Sequence, residues 1–388
     1  MAVSSQFSKS DVSRNKLVVC HLTTAHLASD VRIFERECKS IAEKANYSVI
    51  LAAHGEMPNY DEVTHFTLGK IPKKRLFRLA RSQIVSVWCL MRLKVDVWHL
   101  HDPELLIFAR LLILLKKKVI WDAHEDYFMQ FKNPQEHRVY VPRNLRTLLG
   151  AFLQNALSYV DKNALAVICA TQSISDSYNN KNRVVVGNEA RLEEFQECFP
   201  KFSSNRVLFT GATNEAQCFQ QVVDAIGLSN HLVLTVAGRA PKPQDWRYAK
   251  DLLGERFEYL GWLNRSELSE AITRSKIGLI TYNNQDTNMT NSPNKRFEFS
   301  ASGLPCVVTP TPSNIDWARA SSGAIVARDF TAAGLAEAIG TLSESEHIWS
   351  KISQSSRKWC EEFGSWETSE KRLLDVYKTI ENEESSIK

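Results

Sequence analysis

The chain has 388 residues, of which 44% are hydrophobic and 24% are charged, and its formal net charge is +4. This length is about twice that of a common single domain, and the composition excludes collagen-like and low-complexity chains. No apolar run approaches the roughly 20 residues of a transmembrane helix, and the polar N-terminus has no signal-peptide core, so we expect a cytoplasmic protein. Eight cysteines without Cys-x-x-Cys spacing predict free, buried thiols rather than disulfides or a zinc site.

In the first half of the chain, short apolar runs alternate with helical segments. Residues 1–15 are polar and rich in serine, which predicts a disordered leader. Apolar residues recur at helical spacing over residues 31–42, with Asp30 as the predicted cap. The predicted strands of this half lie at residues 17–21, 47–53, 96–101, 118–122, 166–170 and 183–186. This alternation is typical of a parallel, doubly wound sheet.

The alternation restarts in the second half of the chain. The predicted strands lie at residues 206–210, 232–237, 257–260, 277–281, 305–308 and 324–327, and amphipathic helices lie at 219–226 and 266–275. Residues 346–380 are predicted to be helical throughout.

Together, the two series predict an α/β protein with two tandem Rossmann-like domains whose parallel sheets face a central cleft. The expected domains are residues 16–200 and 201–360, with a hinge near 199–205. Residues 361–388 are expected to form a helix that packs back toward the first domain, with a polar tail. Ligands of such sheets bind beyond the carboxyl ends of the strands, so we expect the site in the cleft.

The strongest motif lies in residues 292–308. The chain has no Gly-x-Gly-x-x-Gly and no phosphate-binding loop, so a dinucleotide oxidoreductase or a P-loop NTPase loses its main support. Pro293 fits a first helical turn, which places Asn294 and Lys295 at a helix N-terminus that suits a diphosphate. Glu298, one turn further, is positioned to accept hydrogen bonds from ribose hydroxyls. The alternative is an ordinary capped helix with a Lys–Glu surface pair.

Residues 70–81 form a basic segment with interleaved apolar residues and no acidic residue. Its positive residues are Lys70, Lys73, Lys74, Arg75, Arg78 and Arg81. The pattern predicts an interfacial stretch that faces anionic lipid, and a solvated helix face is the alternative. No recognition motif for nucleic acid accompanies the charges, so we expect no nucleic-acid partner.

Several segments together resemble one enzyme family. Residues 292–305, Ser-Pro-Asn-Lys-Arg-Phe-Glu-Phe-Ser-Ala-Ser-Gly-Leu-Pro, resemble the donor-site segment of family-4 glycosyltransferases with the GT-B fold. Residues 30–38, 97–105 and 119–126 are similar to segments of bacterial capsule and lipopolysaccharide transferases of that family. Residues 365–367, Ser-Trp-Glu, resemble the segment before the final helix of such proteins. The resemblance covers residues 17–380 in the expected order.

The resemblance implies retaining transfer from a nucleotide-diphosphate sugar, without a bound metal and without a cofactor beyond that co-substrate. The donor-binding residues that match are Gly238, Arg239, Ser292, Asn294, Lys295 and Glu298. The implied acceptor is a growing, lipid-linked bacterial surface glycan. The basic segment would then hold the protein at the anionic inner face of the cell membrane.

In the acceptor half, the resemblance places His101 near the transferred sugar, where it would bond a hydroxyl or position the acceptor. The catalytic candidates of this half are His101, Asp122, His124 and Glu125, and the further acceptor-side residues are Asp30, Arg32 and Asp102.

The sequence departs from the family pattern at three places. Many members carry two glutamates eight positions apart, but Thr290 stands where the first would precede Glu298. The loop 211–218 lacks the Arg and Lys that many members direct at the diphosphate, and the first loop lacks glycines. Two alternatives therefore stay open: a nucleotide-sugar 2-epimerase on the same fold, or a catalytically degenerate subunit that binds a nucleotide or a glycan.

Overall fold

A computed structural model describes residues 16–70, 75–128, 143–285 and 292–387, so the predicted leader lies outside the described residues. The chain divides into two compact units. Residues up to Gly187 and from Glu370 onward form the first unit, and Asn188–Ser369 form the second. We expected the division at residue 200. It falls earlier because Ala190 and Phe195 belong to the hydrophobic core of the second unit.

The first unit is built on a parallel sheet. Its strands are β1 (Leu17–Leu27), β2 (Tyr47–His54), β3 (Val63–Thr67), β4 (Val97–Leu100), β5 (Lys118–Ala123), β6 (Ala166–Cys169) and β7 (Arg183–Val185). Their order in the sheet is β3-β2-β1-β4-β5-β6-β7. The helices are a π-helix (Val31–Cys38), α1 (Lys39–Lys44), α2 (Arg75–Arg92), α3 (Leu106–Leu114), α4 (Arg143–Asn163) and α5 (Gln172–Asp176). The central strands are buried on both faces, which explains why they read as continuous apolar runs.

The second unit repeats this plan. Its strands are β8 (Arg206–Thr210), β9 (Val233–Ala237), β10 (Phe257–Gly261), β11 (Ile277–Ile280), β12 (Cys306–Val308) and β13 (Ala324–Val326), in the order β10-β9-β8-β11-β12-β13. Its helices are α6 (Phe219–Gly227), α7 (Pro243–Leu253), α8 (Arg265–Thr273), α9 (Asn294–Ser302), α10 (Pro312–Ser321), α11 (Ala332–Glu344) and α12 (Glu346–Glu362). Helix α13 (Trp366–Ile387) begins in this unit and continues in the first. The predicted α/β fold with two parallel sheets is confirmed.

The structure differs from the sequence-based expectations at three places. Strand β3 was not predicted, because Val63–Thr67 is short and largely polar. The segment 31–42 begins as a π-helix rather than an α-helix. Residues 346–380 are not helical throughout, since the chain breaks between α12 and α13. A Cβ at Gly364 in this break would lie 2.4 Å from the ring of Trp359, so only a glycine lets the chain pass so close to that ring.

Two predictions from composition can be compared with the structure directly. All eight cysteines are free and buried, as expected. Within the described ranges, none of the helices combines the length and the apolar character that a bilayer crossing requires.

Candidate functional site

The order of the strands reverses once in each sheet, and ligands of such sheets bind at this switch point, beyond the carboxyl ends of the two strands that flank it. In the first unit these strands are β1 and β4, and in the second they are β8 and β11. The predicted site residues fall into two groups near these positions, one in each unit.

Lys295 lies at the switch point of the second unit. Its Nζ donates to the carbonyl of Thr210, at the end of β8, and to Oε1 of Gln217, both at 3.1 Å. The same Nζ lies 5.0 Å from the ring centroid of Tyr282, just after β11. Only 6% of the lysine is exposed. The position therefore forms a buried cation site and not a surface Lys–Glu pair.

Helix α9 holds this lysine in place. Pro293 is the N-cap in an extended conformation, so the helix begins at Asn294 and Lys295 lies in its first turn. Gly303 ends the helix with a φ of 70°, as expected for a glycine at this position. Burial is the main cause that lowers the pKa of Lys295 to about 7, although the charge of Glu298 opposes it. Burial therefore disfavours the charged form of this lysine, and a nearby anion would favour it.

Two glycines bring bare backbone to the edge of this site. Gly211 follows β8 with a φ of 123°, and Gly238 follows β9 with a φ of 134°. A Cβ at Gly238 would lie 2.2 Å from the carbonyl oxygen of Gly211, so no larger residue fits there. Arg239 is the next residue, and it is exposed. The end of β8 thus carries bare backbone at Gly211, and the end of β9 carries bare backbone at Gly238 followed by the cation Arg239.

Glu298, which was predicted to hold the ribose, forms an ion pair with Arg265 at the start of α8. Arg265 also lies 3.5 Å from Glu194. Arg265 was not predicted as a site residue, because 33 residues separate it from Glu298 along the chain. A signal was present, since Arg265 precedes the predicted helix 266–275 and therefore lies at the same edge of the sheet as the donor segment.

The other predicted donor residues flank the start of α9. Asn294 is exposed and Ser292 is partly buried. In the loop 211–218, which lacks the expected cations, the neutral Gln217 contacts Lys295 instead. Thr290 lies outside the described residues.

Asp102 organises the switch point of the first unit from the end of β4. Its Oδ2 accepts hydrogen bonds from the Thr23 hydroxyl at 2.9 Å, from the Ala25 amide at 3.1 Å and from the Thr24 amide. Its Oδ1 lies 2.9 Å from Nδ1 of His26. The register of β1 shifts at this point, which releases these amides from the sheet ladder. Asp102 is therefore a buried anion that fixes the loop and His26.

His26 was not identified from the sequence, although its side chain is 36% exposed and paired with Asp102. Burial by itself lowers the pKa of His26, but the hydrogen bond and the charge of Asp102 outweigh burial and raise that pKa. The contacts of Asp102 with His26 and the loop likewise outweigh burial and lower the pKa of Asp102 to about 2. The charged forms of both side chains are thus favoured.

Asp30 and Arg32, which were predicted on the acceptor side, make hydrogen bonds and ion pairs within the first unit. Asp30 caps the π-helix by accepting from two amides of its first turn, at 2.9 and 3.0 Å. Residues five apart lie on the same face of a π-helix, and Nε of Arg32 lies 3.2 Å from Oε1 of Glu37. The Arg32 guanidinium also donates to Oδ1 of Asp122 at 3.0 Å and to the carbonyl of Val186 at 2.8 Å. The Arg32 side chain is therefore buried, and it links the π-helix to β5 and to the backbone that follows β7.

His101, Asp122 and His124 form a chain from the interior of the first unit to its surface. Nδ1 of His101 and Nε2 of His124 each lie 3.2 Å from Oδ2 of Asp122. His101 and Asp122 are fully buried, whereas 15% of the His124 side chain is exposed. Despite burial, the charges of Arg32 and His124 hold the pKa of Asp122 well below its ordinary value. The His101 side chain therefore has no solvent-exposed face, whereas His124 is partly exposed and Glu125 is exposed.

Next to His101 and Asp122 lie three further buried residues that were not predicted from the sequence, namely His21, Glu37 and His99. His21 and His99 are opposite each other on β1 and β4, and Nδ1 of His21 lies 3.0 Å from Nε2 of His101. Burial is the main cause that lowers the pKa of each of the three histidines and raises the pKa of Glu37. A signal was present, because residues i and i+2 of a strand share a face and the sequence His-Leu-His occupies the end of β4.

The structure modifies the interpretation of the basic segment. Lys70 is exposed, but Arg78 forms an ion pair with Glu104 at 2.7 Å, and Arg81 donates to the carbonyl of Leu68 at 2.9 Å. Lys73, Lys74 and the side chain of Arg75 lie outside the described residues. The exposed surface of α2 includes large apolar side chains, since Phe77, Ile84 and Met91 have relative exposures of 67%, 71% and 73%.

Residues 204–345, in the second unit, match the family model described as Glycosyl transferases group 1. No curated protein sequence is significantly similar to this chain. Among solved structures, sucrose-phosphate synthase from Thermosynechococcus elongatus aligns with a TM-score of 0.71 at 12% identity, over 94% of this chain and 99% of its own. HepE from Anabaena, in complex with UDP-glucose, aligns with a TM-score of 0.68 at 11% identity, over 94% and 100%.

WaaG, a glycosyltransferase involved in lipopolysaccharide biosynthesis, aligns with a TM-score of 0.69 at 13% identity, over 93% of this chain and 99% of its own. At these identities the likenesses show the fold, which is that of the GT-B glycosyltransferases. Residues 204–345 match the Glycosyl transferases group 1 model, so the prediction of a glycosyltransferase is confirmed at this level.

Proposed function

We propose that this protein transfers a sugar, with retention, from a nucleotide-diphosphate sugar to a growing, lipid-linked bacterial surface glycan. The observation that carries the proposal is Lys295, a buried ammonium at the end of β8 whose hydrogen-bond acceptors in the described residues are the neutral oxygens of Thr210 and Gln217. A buried lysine with a pKa of about 7 gains most from an anionic ligand. A diphosphate supplies that charge.

In this proposal, Lys295 and Arg239 stabilise the charge that develops on the nucleoside diphosphate as the sugar leaves. Amides at the start of α9 and the bare backbone at Gly211 and Gly238 complete the cradle. Fixed cations and amides of this kind remove the need for a metal ion at the diphosphate. Retention follows from the resemblance of residues 292–305 to retaining enzymes, and the complex of HepE with UDP-glucose makes a uridine nucleotide sugar the first donor to test.

Glu298 would hold the ribose of the donor. Its carboxylate is paired with Arg265, so one oxygen is oriented and the other is available to accept from a ribose hydroxyl. Ser292 and Asn294, at the start of the same helix, are further proposed donor contacts.

The acceptor would lie against the first unit. His26 and His124 are its partly exposed imidazoles, and their rings are 5.4 Å apart. Behind them, Asp102 and Asp122 fix both rings. In this arrangement His101 acts as a positioning residue through Asp122, and the groups that touch the acceptor are His124, Glu125 and His26.

A thermal-shift screen of the purified full chain with uridine, guanosine, adenosine and thymidine diphosphate sugars tests the proposal. A ligand at 100 times its Kd adds about 2.7 kcal/mol of stability. Lys295→Met should abolish the shift, whereas the control Lys276→Met should keep it. Lys276 is equally buried, but it precedes β11 at the amino end of the sheet and donates to the Ser343 carbonyl. No shift with any nucleotide sugar contradicts the proposal.

Assays with a bound donor separate the open alternatives. Interconversion of nucleotide sugars without an acceptor indicates the epimerase. Binding without transfer, hydrolysis or interconversion indicates the degenerate subunit, an alternative that the neutral Gln217 in place of a loop cation favours.

Donor affinity should fall as the pH rises above 7. Below the Lys295 pKa of about 7 the free protein already carries the charge, whereas above it binding must take up a proton. The Kd for UDP-glucose should therefore rise by up to about tenfold per pH unit until the pKa of the complex is reached. Titration calorimetry from about pH 6 to about pH 9, in two buffers of different ionisation enthalpy, measures both the Kd and the proton uptake.

The diphosphate of UDP-glucose does not titrate in this range, so a pH-independent Kd contradicts the assignment of Lys295 to the donor site. The groups that act electrostatically on its Nζ are Glu298, Arg296 and Cys306. Of these, the Cys306 thiol has its pKa raised by burial, so it stays neutral in this range.

We further propose that α2 brings the first unit to the cytoplasmic face of the cell membrane. Phe77, Ile84 and Met91 are seven residues apart, so they lie on one face of the helix. The likeness to WaaG, which acts in lipopolysaccharide biosynthesis, supports a membrane-borne glycan as the acceptor. Because Arg78 and Arg81 are engaged within the unit, apolar insertion contributes more to this contact than their charge does.

Replacing Phe77, Ile84 and Met91 together by serine should reduce co-flotation with anionic vesicles at least about tenfold, since each buried apolar side chain contributes about 1.5 kcal/mol or more. The matched control replaces Leu228, Trp262 and Phe363, which are equally exposed but belong to the second unit. Vesicle binding that survives the first triple change, or that is lost equally in the control, rules out α2 as the membrane contact.

A further inference from the structure

The cluster formed by His21, Glu37, His99 and His101 contains buried polar atoms that the rest of the described chain leaves unsatisfied. All four residues have a relative exposure of 0%. Neither carboxylate oxygen of Glu37 accepts a hydrogen bond within the described ranges, although Oε1 is ion-paired with Nε of Arg32 at 3.2 Å, and Nε2 of His99 has no hydrogen-bond partner either. Buried polar atoms without a partner are costly and rare in native proteins, so these atoms indicate a ligand.

The outer contacts of the three rings determine where their lone pairs point. Nδ1 of His99 lies 2.8 Å from the Tyr377 hydroxyl, and Nε2 of His21 lies 3.4 Å from the same oxygen. Nδ1 of His101 lies 3.2 Å from Oδ2 of Asp122. When each of these N–H groups donates outward, the remaining ring nitrogens direct their lone pairs into the cluster. An imidazole whose second nitrogen donates to an oxygen is the usual arrangement of a metal-ligating histidine.

The inward-facing atoms have nearly the spacing of a coordination shell. One donor atom from each residue lies within 4.8 Å of the other three. Nδ1 of His21 is 3.0 Å from Nε2 of His101, and Oε2 of Glu37 is 3.9 Å from Nδ1 of His21 and 3.7 Å from Nε2 of His99. Tetrahedral zinc with bonds near 2.0–2.1 Å separates its ligand atoms by about 3.3 Å. Shifts of less than about 1 Å in these ligand atoms would therefore bring all four to bonding distance from one zinc ion.

We propose that His21, Glu37, His99 and His101 bind one divalent transition-metal ion of the Zn²⁺ type. Three neutral imidazoles and one carboxylate suit such an ion better than Mg²⁺ or Ca²⁺, which prefer oxygen ligands. Oε2 of Glu37 is the ligand atom, while Oε1 lies 3.2 Å from Nε of Arg32. Four protein ligands without exposure make the site structural rather than hydrolytic.

The ion would connect the π-helix with β1 and β4, and it would fix His101 in the chain that leads through Asp122 to His124. The site lies in the first unit, and donor binding by the second unit does not depend on it. Failure of this proposal and failure of the proposed function can therefore be observed separately, the first as metal content and the second as nucleotide binding.

The test is elemental analysis of the full chain, first as purified and then after unfolding with a chelator and refolding with Zn²⁺ or Co²⁺. We expect about one ion per chain, a higher Tm after refolding with Zn²⁺, and visible d–d bands of tetrahedral cobalt after refolding with Co²⁺. Glu37→Gln keeps the size of the side chain but removes its charge, and it should reduce the bound metal at least about tenfold. His99→Gln should do the same.

His65→Gln is the matched control, because His65 is a half-buried histidine of the same unit outside the cluster, and it should keep the full metal content. A Glu37→Gln protein that retains the ion would place the metal on His101, Asp122 and His124 and would overturn the proposal. A wild-type chain that refolds without metal to an unchanged Tm and takes up no Co²⁺ would also overturn the proposal. Glu37 would then be a protonated residue of a hydrogen-bonded network without metal.

Discussion

Replacing Lys295 by methionine is expected to lower kcat/KM for a nucleotide sugar by about 100- to 1000-fold, which corresponds to about 2.7–4 kcal/mol of transition-state stabilisation. The ammonium lies at the end of β8, in the first turn of α9, where the charge of a departing diphosphate would develop. Methionine retains most of the volume but supplies no charge. Steady-state kinetics with the donor identified by the thermal screen measures the effect.

Lys276→Met is the control for this change, since it removes a second buried lysine of the same unit at the opposite end of the sheet. Its kcat/KM should stay within about threefold of the wild-type value, because it lacks contact with the donor site. Equal losses in both variants would mean that a buried lysine stabilises the unit and does not bind the diphosphate.

Asp122→Asn is expected to destabilise the first unit by about 3 kcal/mol or more. The carboxylate is fully buried, accepts from Arg32 at 3.0 Å and lies 3.2 Å from both His101 and His124. An asparagine directs an amide N–H₂ toward either the guanidinium or the imidazoles. It also removes the negative charge that neutralises the buried Arg32. Hydrogen–deuterium exchange of peptides from β1, β4 and β5 measures the loss of stability in the first unit separately from the stability of the second.

Asp316→Asn is the matched control, because this aspartate lies 3.7 Å from Arg319 with both side chains more than three-quarters exposed. Such a surface pair contributes no more than about 1 kcal/mol, so exchange should be unchanged. If Asp122→Asn leaves exchange of the first unit unaffected, the buried chain from His101 to His124 does not hold that unit together.

Much of the fold and part of the donor site can be predicted from sequence, because both depend on local signals. Buried parallel strands are continuous apolar runs, and twelve of the thirteen strands in the described part of the chain have such a run in the sequence. Strand β3 does not, since an edge strand need not be apolar on both faces. Pro293 and Gly303 mark the ends of α9 by their own backbone preferences, and these local preferences are enough to place Lys295 at a helix start.

Other features depend on contacts between residues that are far apart in the chain. In the sequence, Lys295 cannot be told from a surface lysine. Only the tertiary structure, which places its Nζ at the end of β8 and beside the ring of Tyr282, buries it and lowers its pKa. Asp30 and Arg32 were predicted to face an acceptor, but the π-helical winding turns Arg32 toward Glu37 and Asp122 inside the unit.

The sequence by itself therefore determined the alternation of elements, the class of fold and the segment that carries the donor lysine, because hydrophobic periodicity and helix-end preferences act over a few residues. The tertiary structure decided which polar side chains are buried and which atoms they face. Parallel pairing of β1 with β4 brings His21 next to His99 and His101 across about 80 residues of chain. Such a cluster has no local signature, since its energy comes from desolvation and hydrogen bonding that exist only after the sheet has formed.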